Sequence, residues 1–121
     1  MASKAVVSLT TGLEDTEKVM IALLVAVGAA ESGRPTLTFL TKEAVRLAVT
    51  GVATGTACEG CPSIPELLKR YEAAGGIFYV CPICFNSKGL DPDTLIPGAE
   101  IQGTVPMWAW IGDDGATTFS Y

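Results

Sequence analysis

At 121 residues, 49% of them hydrophobic and with a mean hydropathy of +0.39, the chain has the size of one compact domain (residues 1–121) and enough apolar material to bury a sizeable core. A formal charge of -5 and a pI near 4.5, with Lys and Arg scattered, argue against a phosphate-tracking surface and against direct nucleic-acid binding. The longest apolar stretch, Val19 to Ala30, is bracketed by Glu17, Lys18 and Glu31 and is too short for a membrane span.

The N-terminus, Met1 to Val7, runs into an apolar strand without the regions of a secretory signal, which predicts a cytoplasmic protein. Ala5 to Leu9 reads as a buried strand, broken by Thr10-Thr11-Gly12 before Asp15 caps a helix that runs to about Ser32. Gly33 stops that helix. Pro35 leads into a second strand, Thr36 to Leu40, whose β-branched and aromatic content suits a sheet interior. Thr41 caps a short helix ending near Val49. Thr50 to Pro62 is small, glycine-rich and aperiodic, the composition of a loop.

Ser63 and Glu66 form a capping-box pattern, and the helix they open ends at Gly75-Gly76. The third strand, Ile77 to Val80, follows. A short helix ends at Gly89, and Asp91-Pro92 starts a single turn. A weak strand around Ala99 to Gln102, a helix from about Val105 to Ile111, a turn at Asp113-Asp114-Gly115 and a last strand, Ala116 to Tyr121, complete the chain. Strands alternating with helices imply crossover connections, hence a three-layer α/β/α domain with a mainly parallel five-stranded sheet.

Four cysteines dominate the chemistry of a chain with no histidine: Cys58-Glu59-Gly60-Cys61 and Cys81-Pro82-Ile83-Cys84, in the pattern C-x2-C-x19-C-x2-C. The spacing fits both a tetrathiolate zinc site and a thiol-redox or sulfur-transfer centre. Reactive groups of doubly wound folds collect at the carboxyl ends of the strands, and Cys81 ends the third strand. The loop carrying Cys58 and Cys61 precedes a helix that starts at the same edge, so both pairs are expected on one face. Cys81 is the N-cap of a helix with Pro82 first and Cys84 in the first turn. With Lys88 on the same helical face, both sulfurs are expected to favour the thiolate. Such a thiolate can hold sulfane sulfur as a persulfide or resolve with its neighbour as a disulfide.

The segment Val80-Cys81-Pro82-Ile83-Cys84-Phe85-Asn86-Ser87-Lys88-Gly89-Leu90 resembles the signature of the DsrE/DsrF-like (YchN-like) sulfur-relay family. There a strand-ending cysteine is followed eight residues later by a glycine and an aliphatic residue, matched by Cys81, Gly89 and Leu90. Lys88 stands where the family usually has arginine, keeping the charge and losing the bidentate fork. The resemblance implies a small cytoplasmic carrier that takes sulfur on Cys81 and relays it between donor and acceptor proteins, without a cofactor, as a homotrimer or homohexamer. Cys58 and Cys61 add a secondary thiol pair to that pattern.

Two alternatives remain open. One is an interaction module with zinc on Cys58, Cys61, Cys81 and Cys84; the other is a thiol–disulfide redox protein. Elsewhere the expectations are plainer. Trp108 and Trp110, two apart on a short helix, face different directions and suit core or subunit packing. Thr10, Thr11 and Gly12 form a turn, Glu59 keeps its loop solvated, and Asn86 and Ser87 lie on a helix surface.

Overall fold

The computed structural model describes residues 3–121, so the first two residues of the N-terminal reading, Met1 and Ala2, lie outside it. Five strands, β1 (Lys4–Leu9), β2 (Thr36–Leu40), β3 (Ile77–Val80), β4 (Ala99–Ile101) and β5 (Ala116–Ser120), form one sheet in the order β4-β3-β2-β1-β5. Every neighbouring pair is parallel. Four α-helices make the crossovers: α1 (Thr16–Glu31), α2 (Ile64–Ala73), α3 (Pro82–Ser87) and α4 (Thr104–Ile111). Among the described residues no helix is long and apolar enough to cross a membrane.

The predicted caps are in place. The Asp15 carboxylate accepts the Lys18 N–H at 3.1 Å, and the Ser63 hydroxyl accepts the Glu66 N–H at 3.2 Å. Thr41 differs: its side chain caps nothing, and the segment it opens, Lys42–Ala48, winds as a 3₁₀ helix. The buried residues there recur as Ala44 with Leu47 and Val45 with Ala48, a spacing of three that matches the three-residue turn.

Successive strand residues face opposite layers. Val7 and Leu9 of β1, Leu40 of β2 and Phe78 and Val80 of β3 pack against α1, α2 and the Lys42–Ala48 segment in the larger core. Val6 and Leu37 point the other way, onto Ile111, Met107 and Trp110 of α4. The result is the expected α/β/α layering, with each fully buried Leu, Val or Phe contributing about 1.5–3 kcal/mol.

Tyr71 of α2 ties the larger layer to the sheet. It is fully buried, stacks obliquely on Phe78 at 4.7 Å, and accepts the Thr38 hydroxyl at 3.0 Å. Its own hydroxyl faces the carbonyls of Ile77 (2.7 Å) and Thr36 (3.1 Å). Burial pushes this phenol well above its ordinary value of 10, because the phenolate would lose its hydration. The stability it contributes is therefore complete below pH 10 and lost as pH rises, since the unfolded chain releases the proton first. Denaturant unfolding between pH 8 and pH 11 should show this fall. Tyr71→Phe should flatten it; an equal fall in that variant would assign the effect elsewhere.

Candidate thiol site

The carboxyl ends of four strands are laced together by backbone. The Thr41 N–H donates to Leu9 O at 3.0 Å, the Cys81 N–H to Leu40 O at 3.0 Å, and the Gln102 N–H to Val80 O at 3.1 Å. Cys81 thus sits on a rigid edge. Pro82 keeps the residue before it out of the helical region, and Cys81 has φ -58° and ψ 118°. Its carbonyl still accepts the Phe85 N–H at 2.9 Å, so the strand turns into α3 within one residue. Phe85, fully buried, anchors α3 on the core beside the Lys42–Ala48 segment.

Cys81 and Cys84 are free thiols, both partly exposed. They are not equivalent. Cys84 packs against the larger core, whereas Cys81 takes no side-chain hydrogen bond from the first turn of α3. Ile83 between them is 79% exposed. Gly103, the N-cap of α4, lies beside Pro82, where an added Cβ would sit 3.8 Å from the proline Cγ.

Lys88, expected to serve the sulfurs, is the C-cap of α3, and its Nζ lies 3.8 Å from Glu43 Oε2. The same oxygen accepts Arg46 Nε at 3.1 Å. Glu43, unremarked in the sequence, also closes the edge through its backbone: a Cβ on Gly12 would fall 2.6 Å from the Glu43 carbonyl oxygen. A glycine is required there, and the sequence offers only the strand-end turn as its signal. Thr10, Thr11 and Gly12, expected as a turn, instead run on without regular structure, and Gly12, extended at φ -105° and ψ -151°, is the N-cap of a 3₁₀ turn over Leu13–Asp15. Thr10 N–H donates to Tyr121 O and Gly12 N–H to Glu14 Oε1.

Cys58 and Cys61, expected as thiols, are instead joined in a disulfide. The turn accounts for it: Gly60 at φ 75° and the Cys61 N–H on Cys58 O bring the Cα atoms to 5.2 Å, within bridging distance. Topology puts this loop, ahead of α2, at the carboxyl side of the sheet. Among the described residues no group of three or more His, Cys, Asp or Glu is disposed to hold a metal ion.

Trp108 and Trp110 diverge as expected. Trp108 is 65% exposed, while Trp110 packs on the smaller core with Lys4 Nζ 5.3 Å from its ring centre. Two cavities, of about 260 Å³ beside α2 and about 340 Å³ between α1 and β5, are lined by no cysteine.

No family model and no curated protein sequence matches the chain. Solved structures do. The YchN protein of E. coli superposes with a TM-score of 0.78 over 98% of this chain and 100% of its own, at 24% identity. A protein of unknown function from Methanobacterium thermoautotrophicum gives 0.69 over 99% and 100%, at 12% identity. Over essentially its whole length the chain therefore has the YchN-like fold to which the segment from Cys81 to Leu90 points.

Proposed function

We propose that the protein is a small sulfur carrier of the sulfurtransferase type, which accepts sulfane sulfur on Cys81 as a persulfide and relays it to a partner protein. The observation that carries this reading is the position of Cys81, a free and partly exposed thiol at the end of β3 in a YchN-like fold. The Cys81 thiolate attacks the outer sulfur of a donor persulfide, forming the Cys81 persulfide and releasing the donor as its thiol. An acceptor thiolate removes that sulfur in the same way, and no cofactor or metal enters the exchange. Cys84, three residues on, is the resolving thiol: its attack on the inner sulfur forms a Cys81–Cys84 disulfide and expels hydrogen sulfide.

The reading places the carrier in the cytoplasm as a homotrimer or homohexamer, with sulfur donor and acceptor proteins as its partners. The exposed Val105 and Trp108 of α4 support association with other chains. Intact-mass spectrometry after incubation with a persulfide donor should show a gain of one sulfur per chain, reversed by dithiothreitol. A mass unchanged after incubation would overturn the proposal.

A further inference from the structure

We propose that the Cys58–Cys61 disulfide is a second reactive centre, a reversible thiol–disulfide exchange site that takes electrons from a dithiol reductant. A bond that serves stability joins segments distant in the chain, because its effect grows with the loop it closes. This one closes a very short loop, with a sequence separation of 3. It also ties no element to another.

The surrounding loop is held by other means. The Thr56 hydroxyl donates to Ala53 O at 2.6 Å, the Ile64 N–H to Thr56 O at 2.9 Å, and the Cys61 N–H to Cys58 O at 3.1 Å. Ser63 caps α2 independently. Reduction therefore removes one covalent bond and leaves its scaffold in place. Access is equally clear: both cysteines are partly exposed and their neighbours Ala57, Glu59 and Gly60 are exposed. An incoming thiolate meets the bond without any opening of the core.

The exchange balances. A dithiol thiolate attacks one sulfur of the pair, the other leaves as a thiolate, and the second thiol of the reductant then displaces the first. The reductant ends as its disulfide, having lost two electrons and two protons, and Cys58 and Cys61 end as thiols. A low-molecular-weight disulfide such as oxidised glutathione reverses the sequence. This centre is independent of sulfur loading on Cys81.

The test uses the folded wild-type protein in a series of reduced and oxidised dithiothreitol, quenched with an alkylating reagent and mapped by peptide mass. Cys58 and Cys61 should gain two labels together while circular dichroism stays unchanged, at a rate within about tenfold of that in denaturant, since no unfolding step precedes attack. Reduction only after the fold is lost, or slowed far beyond that factor, would make the bond structural and overturn the proposal. Cys61→Ser supplies a second reading. With its intramolecular partner gone, Cys58 should accumulate a mixed disulfide with oxidised glutathione in the folded state; an unmodified Cys58 would count against exchange.

Discussion

Cys81→Ser should reduce sulfur loading from one atom per chain to background while leaving the fold in place. A hydroxyl at this position cannot form the sulfur–sulfur bond. The side chain is partly exposed and takes no cap hydrogen bond, so the substitution should cost no more than about 1 kcal/mol of stability. Cys84 does not replace it, because it lies within the first turn of α3 and packs against the core. Cys84→Ser should load normally and hold its sulfur longer, since the intramolecular route that expels hydrogen sulfide is gone. Intact-mass time courses of the two variants separate these roles. Equal loading of Cys81→Ser and wild type would end the assignment, and a shortened persulfide lifetime in Cys84→Ser would remove its resolving role.

Gly76→Ala should be the most damaging small substitution in the chain, lowering stability by about 3 kcal/mol and the melting midpoint by about 10 °C. A Cβ at Gly76 would lie 2.3 to 2.5 Å from three ring atoms of Tyr71. The ring cannot step aside cheaply, because Tyr71 is fully buried and its hydroxyl contacts Thr38, Ile77 and Thr36. Moving it disrupts those hydrogen bonds and the packing on Phe78 together. Tyr71→Phe keeps the clashing ring and should not rescue the variant. Tyr71→Leu removes the ring, so Gly76→Ala combined with Tyr71→Leu should cost less than the sum of the two single changes. Thermal unfolding of the four proteins reads this directly, and simple additivity would show that the close approach does not govern stability.

The strands and the long helices were legible because their signals are local. Val6, Val7 and Leu9 mark β1, Thr36 to Leu40 marks β2, and Asp15 and Ser63 supply caps whose oxygens do accept the expected N–H groups. Cys81 at a strand end was equally plain, since Pro82 forces the turn from strand to helix. What was not legible depends on residues distant in the chain. The order β4-β3-β2-β1-β5 and the wholly parallel pairing follow from which faces pack, and local periodicity does not state that. The approach of Lys88 to Glu43, forty-five positions earlier, is a contact of this kind. The oxidation state of Cys58 and Cys61 was likewise hidden, because a thiol and a disulfide are written with the same letters; the turn at Gly60 brings the two residues within bridging distance and so permits the bond.

The central claim is that Cys81 is the sulfur acceptor, and the most direct measurement is peptide-level mass spectrometry of wild-type protein loaded with a persulfide donor and then alkylated. The predicted result is one added sulfur on the peptide holding Cys81 and Cys84, assigned by fragmentation to Cys81, with the Cys58–Cys61 peptide unchanged in mass. Sulfur found on Cys84 alone, or inserted into the Cys58–Cys61 bond while the Cys81 peptide stays unmodified, would contradict it.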